Sequence, residues 1–290
     1  MKKIINLISI LIGIYSFAQS KVEKQTQAIV EEGKRLYKSE MASWYGTDLF
    51  IEKFTEKEKI GGYLSYSENE ISKCIFFSKT EIPKVLGTMS FDETFNIQTA
   101  KMQLEERELN QTELELYLIR KVALKTINSD TIFKQYKDTN LNLIPIISNG
   151  EKKVYVLTGP KKNGVIIFGN DYLLKFDKKN NLLDHKRLHN NIIWTEFGQK
   201  MEEGKEIIGG THTHLPETGD FITATDICTL MLYEKSTKWK QYYVYSKNYM
   251  SIWDCEKNQL TPISMKAIKK MNKETEKQKE KAKEKEKIQN

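Results

Sequence analysis

The chain has 290 residues, 39% hydrophobic and 29% charged, with a formal net charge of +7. That apolar share suits a packed core, and three scattered cysteines, Cys74, Cys228 and Cys255, supply neither a disulfide framework nor a Cys-x-x-Cys redox pair. The positive charge sits at the ends, on Lys2 and Lys3 and on residues 265–290 with ten lysines against five glutamates, so the body is balanced and nucleic-acid binding is not expected.

The first residues read as a secretory leader: Lys2 and Lys3, an apolar run from Ile4 to Phe17, and a cut near Ala18 with no cysteine just after it for a lipid anchor. A secreted or periplasmic protein is the expectation, and no later segment is apolar enough to predict a membrane span. Val22 to Met41 has a loose helical period. Tyr63–Tyr66 and Ile71–Phe77, separated by Ser67-Glu68-Asn69-Glu70, predict a hairpin, and Val85–Phe91 a third strand. Asn110 with Glu113 forms a capping-box pattern ahead of an apolar stripe, which predicts a helix from Gln111 to Ile127.

Five β-rich runs follow, at Leu143–Ile147, Lys153–Leu157, Val165–Phe168, Tyr172–Phe176 and Leu182–Leu188. Asn149-Gly150, Asn163-Gly164, Gly169-Asn170 and Asn180-Asn181 separate them, so the spacing predicts a β-meander. Trp194 to Glu206 is polar and interrupts the pattern. A histidine strand ending near Leu215, a helix from Thr223 to Tyr233, a strand at Tyr242–Tyr245 and a hairpin of Tyr249–Trp253 with Leu260–Ile263 complete the body. Cys228 on the apolar side of that helix and Cys255 at a strand end read as small buried hydrophobes. The fold class is α+β, an antiparallel or mixed sheet with flanking helices. Its stretches are a leader at 1–18, an α+β region at 19–140, the meander with the histidine strand and its helix at 141–264, and a Lys/Glu-rich tail at 265–290 that touches anionic surfaces weakly at most.

Chemistry concentrates in Thr211-His212-Thr213-His214 and Thr223-Ala224-Thr225-Asp226. Strand side chains alternate between faces, so His212 and His214 point the same way and both imidazoles can approach one ion. Thr223 with Asp226 marks a helix start, and a carboxylate in a first helical turn stays ionised beside the positive end of the helix dipole. Two imidazoles and a carboxylate are the donor types of a catalytic zinc site, which keeps one position open for water. A hydroxyl and an acid at that spacing are also explained by a capping box alone. His189 is available as an extra ligand or proton carrier, although a histidine in a β-hairpin more often only satisfies local hydrogen bonds. An amidohydrolase-type barrel also uses His-x-His, but too little chain follows His214 to supply the remaining strands.

The pattern His212-Thr213-His214, loop, Thr223-x-x-Asp226 resembles the metal motif of the JAMM (JAB/MPN) metalloproteases, which reads His-Ser/Thr-His-Pro, six residues, Ser-x-x-Asp. The motif lies within Ile207 to Trp253, and the resemblance extends over roughly residues 150–264. It implies a JAB/MPN-like C-terminal half and a zinc-dependent hydrolase of peptide or isopeptide bonds. His212, His214 and Asp226 become the ligands, and Thr223 takes the place of the supporting serine. The chain departs from the motif in two ways. Its loop is one residue longer, with Leu215 where the proline belongs, and no glutamate lies between Lys152 and Thr195 to act as the family's base. Asp171, Glu196, Glu202, Glu203 and Glu206 are the candidate replacements, one at most. The alternative is a non-catalytic exported binding or structural protein with a degenerate metal motif.

Overall fold

The computed structural model describes residues 2–198 and 206–289, with side chains over 21–198 and 206–281. In chain order the elements are α1 (Lys2–Lys53), β1 (Ile60–Glu68), β2 (Ile71–Ser78), β3 (Lys84–Phe91), β4 (Lys101–Gln103), β5 (Arg107–Glu108) and α2 (Gln111–Ser129). Then come β6 (Thr139–Ser148), β7 (Glu151–Pro160), β8 (Val165–Gly169), β9 (Tyr172–Phe176), β10 (Leu182–Arg187) and β11 (Ile192–Glu196). The last are β12 (Gly209–Thr213), α3 (Ala224–Thr237), β13 (Gln241–Tyr245), β14 (Tyr249–Asp254), β15 (Gln259–Ser264) and α4 (Met265–Gln289). The α+β class read from the sequence is the class that forms. Among the described residues no helix is long and apolar enough to cross a membrane.

Two compact units are present, one of residues 31–200 with 224–237 and one of 1–30, 201–223 and 238–290. The residues on either side of position 140 belong to the same unit.

In the larger unit, β1-β2-β3-β4 form an antiparallel sheet with β5 also on β3, and β10-β9-β7-β6 form a second. The β1–β2 and β6–β7 hairpins turn on the residues that the sequence singles out. Asn149 and Gly150 sit at φ 52° and 75°, the left-handed pair that a two-residue hairpin turn requires. The meander, however, is interrupted. β8 pairs with β11, a strand that starts before the stretch read as polar interruption and runs into it, from Gly169↔Ile192 to Val165↔Glu196. Gly169-Asn170 therefore does not close a hairpin between β8 and β9. The Asn170 side chain is buried, donating to the Lys134 carbonyl at 2.9 Å and accepting from the Tyr172 hydroxyl at 2.7 Å, so this turn serves the interior.

Helix α1 packs here by a seam of small and apolar side chains. Leu36, Ser39, Ser43, Gly46 and Phe50 recur at helical three- and four-residue spacing. Ser39 donates to the Ser65 carbonyl at 3.3 Å, and a Cβ on Gly46 would lie 2.6 Å from that of Cys74, so the helix runs close over the sheet. Leu116, Ile119 and Ala123 of α2 meet Leu64, Ile75, Phe77, Val154, Tyr172 and Leu174 in a second core cluster. All three cysteines are buried.

The start of α2 is fixed by its capping box. The Asn110 side chain accepts from the Glu113 amide, and the Glu113 carboxylate accepts from the Asn110 amide. Glu113 also takes a bidentate pair of bonds from Arg107, at 2.7 Å each, and one from the Tyr66 hydroxyl at 2.8 Å. Burial alone would raise its pKa, but these donors hold it below the ordinary carboxylate value. Glu40 of α1 is the opposite case. Protein atoms crowd its carboxyl, its one donor is Asn142 Nδ2 at 3.1 Å, and desolvation pushes its pKa up to about 7.

In the smaller unit the sheet order is β12-β13-β14-β15, with β12 parallel to β13 and the remaining pairs antiparallel. Tyr242, Val244, Ser251 and Trp253 form its buried face. Helix α4, the Lys/Glu-rich tail, is largely exposed over its described side chains.

Two stability predictions follow from the paired glutamates. Glu113→Ala should cost ~3 kcal/mol in urea unfolding, because it strands the Arg107 guanidinium and opens the capping box. Glu40 carries a raised folded-state pKa, so its penalty is absent at acid pH and grows as pH rises through about 7. Glu40→Gln should therefore match the parent near about pH 4 and exceed it by roughly 2 kcal/mol near about pH 8.

Candidate metal centre

β12 carries the first histidine. Its strand alternation leaves Thr211 and Thr213 exposed and His212 buried, and His214, one residue past the strand end, returns to the same buried side. The His214 amide donates to the Tyr245 carbonyl at 2.7 Å, which extends the strand pairing as far as the second histidine. The two Nε2 atoms lie 3.0 Å apart. Each ring is held from behind: His214 Nδ1 lies 3.1 Å from the Phe221 carbonyl, and His212 Nδ1 lies 3.2 Å from the Tyr242 hydroxyl. A carbonyl only accepts, so His214 carries its proton on Nδ1 and leaves the Nε2 lone pair facing His212. Outer hydrogen bonds of this kind fix the tautomer of metal-binding histidines.

The larger unit brings acids and a histidine together. Asp226 lies in the first turn of α3 and is 2% exposed, Asp171 follows the Gly169-Asn170 turn and is 3% exposed, and His189 lies two residues past β10. His189 Nδ1 is 2.7 Å from Asp171 Oδ1, and its Nε2 is 3.6 Å from Asp226 Oδ2. Asp171 Oδ1 also accepts from the His189 amide at 3.1 Å, and Oδ2 accepts a short bond from the Thr225 hydroxyl. Burial pulls the His189 pKa down, but the Asp171 and Asp226 carboxylates outweigh it and raise it to about 9. A hollow of about 10 Å³, on the order of one water, adjoins Asp171, Thr225, Asp226 and Thr229.

His189, His212, His214 and Asp226 form a buried cluster in which one donor atom from each lies within 4.8 Å of the others, and this cluster can hold a metal ion. Three imidazole nitrogens and one carboxylate oxygen are a donor set that suits a divalent ion such as those bound by nitrogen and oxygen ligands. The structure thus gathers the three residues read as ligands and adds His189.

The candidate bases fare differently. Asp171 commits both oxygens to His189 and Thr225, so it orients a histidine. Glu196 is exposed at the end of β11, and Glu206 is exposed before β12. Glu202 and Glu203 lie outside the described residues. Thr223 immediately precedes α3, and the Thr225 hydroxyl donates to Asp171. His185, the other histidine of the β10 segment, lies 2.8 Å from Asp130 Oδ2 and stacks on Phe133, apart from the cluster. The signal that separates His189 from His185 is its distance from Asp171 in the fold, which no local pattern encodes. No protein-family model, curated protein or solved structure matches the chain.

Asp171→Ala should destabilise the protein by ~3 kcal/mol by stranding His189, and it should lower metal affinity ~10- to 100-fold only where His189 is itself a ligand. Chemical unfolding and metal titration by calorimetry measure the two effects, and unchanged affinity would remove His189 from the ligand set.

Proposed function

We propose that the protein is an exported zinc-dependent hydrolase of JAMM type acting on a peptide or isopeptide bond, with His212, His214 and Asp226 as ligands. The observation that carries this reading is the His189–Asp171 pair: an imidazole whose Nδ1 is held at 2.7 Å by a buried carboxylate, with Nε2 turned toward Asp226. When bound, a zinc ion supplies Lewis acidity and lowers the pKa of water at the site toward about 7. The charge of a bound ion would offset the two carboxylates that hold His189 protonated, so that a neutral Nε2 could take the proton and Asp171 hold the resulting imidazolium, and the dyad would do the work of the glutamate that the motif lacks. Thr225 keeps Asp171 in place through its short bond. Tyr242 and the Phe221 carbonyl keep the His212 and His214 rings turned toward each other.

A second reading is favoured by the count of donors. Four protein donors within 4.8 Å are enough to close a tetrahedral sphere, as in structural zinc sites, and that leaves no position for water. In this reading the protein is an exported binding or structural protein.

His189 separates the two. In the hydrolase reading the mature protein binds one equivalent of zinc, and His212→Ala and Asp226→Ala each lose it. His189→Ala keeps the zinc and loses ~100- to 10,000-fold of turnover on a peptide library. Loss of zinc from His189→Ala in a metal assay would establish the closed site in its place.

A further inference from the structure

Apart from the metal cluster, the larger unit encloses a second chemical environment. A hollow of about 300 Å³ lies among α1, β1, β6, β7 and α3, with Glu40, Asp48, Asn142, Trp44, Tyr63 and Tyr233 on its wall. That volume is at the lower end for small-ligand sites, which run from ~300 to 1,000 Å³. Among the described residues no lysine or arginine lines it. Glu40 takes a single hydrogen bond, from Asn142 to Oε2, and has no ion-pair partner among the described residues. Asp48 is exposed at the rim and has no ion-pair partner among them either. The Glu40 charge is felt by its neighbours: burial, and then Glu40, raise the Tyr233 hydroxyl to about 12 and push that of Tyr63 upward.

We propose that this hollow binds a primary alkylammonium group, either the terminal amine of a lysine-like side chain or that of a free diamine, with Glu40 as its counter-ion. An ammonium supplies the positive charge and the N–H donors that a nearly unpartnered carboxyl lacks. The rings of Trp44 and Tyr233 offer apolar surface for an alkyl chain and π faces for the cation, while the Tyr63 ring already has the Arg120 guanidinium 5.9 Å from its centroid. Trp44, 51% exposed and 6.5 Å from Tyr233 between ring centroids, forms the entrance. A carboxyl that accepts directed hydrogen bonds favours a primary over a quaternary ammonium. The hollow shares Leu157, Thr158, Ile167 and Thr229 with the water-sized space beside Asp226. The binding of the amine does not depend on the metal.

The test is calorimetric binding to the mature chain, with and without a chelator, of 1,5-diaminopentane, Nα-acetyl-lysine methylamide, Nα-acetyl-norleucine methylamide and tetramethylammonium. At least one of the two primary amines should bind ~10-fold or more tightly than norleucine methylamide and tetramethylammonium, and the chelator should not change this. Tighter binding of the lysine derivative identifies a peptide as the source of the amine, and tighter binding of the diamine identifies a free polyamine. Glu40→Gln keeps the shape of the wall and should weaken amine binding ~10-fold or more, with its thermal stability at alkaline pH showing that it is folded. Equal affinity for lysine and norleucine derivatives, or an unchanged affinity in folded Glu40→Gln, overturns the proposal. Loss of amine binding on chelation alone overturns its independence from the metal.

Discussion

The larger unit is organised around a buried carboxylate that cannot be left alone. Taking a carboxylate out of water costs several kcal/mol even after relaxation, and Asp171 is 3% exposed. The chain compensates it from three directions: the His189 amide and ring bond Oδ1, and the Thr225 hydroxyl bonds Oδ2. Those bonds set the local backbone. The Asp171 carbonyl accepts from the Leu188 amide at 2.8 Å, and the Asn170 amide donates to the Asn191 carbonyl at 2.9 Å, so residues 170–171 are clasped to 188–191. The clasp requires Gly169 at φ 80°, where a Cβ would lie 2.2 Å from the Asn191 carbonyl oxygen. One acid thereby redirects β8 away from β9, pairs it with β11 and pins a histidine.

The parts of this fold legible in sequence are those in which a local rule has no competitor. The Asn110/Glu113 capping box starts α2 at the predicted residue, because both bonds close within one helical turn. Asn149-Gly150 closes its hairpin, because the turn conformation and the flanking β-rich runs agree. Gly169-Asn170 carries a similar turn signal, yet the buried Asn170 side chain and the Asp171 clasp, both long-range, decide the outcome. β11 was hidden for a related reason: its apolar residues Ile192, Ile193 and Trp194 run straight into a polar stretch, and its partner β8 lies well upstream, so only a long-range pairing defines the strand.

The candidate site divides in the same way. His212 and His214 are legible because strand alternation alone puts them on one side. Asp226 is legible because a helix start has a recognisable composition. His189 looks no different from His185 in sequence, each followed within a few residues by polar ones. Their fates separate through Asp171 and Asp130, acids distant along the chain. Glu40 was invisible altogether, since a glutamate on the polar side of a loose helical pattern gives no sign that Asn142 and two tyrosines will enclose it.

Counting donors then distinguishes what each buried acid is for. Glu113 receives four hydrogen bonds, counting both from Arg107, and its pKa falls. Asp171 receives three, and every one aligns another residue of the fold. Such acids are committed, because a ligand could reach them only by displacing bonds the protein already makes. Glu40 receives one, and its pKa rises to about 7. A carboxyl left in that condition is a cost to stability unless something else completes its hydrogen bonding. Among the described residues the wall around it offers rings and neither lysine nor arginine, so an ammonium group would supply the charge and the donors that Glu40 lacks.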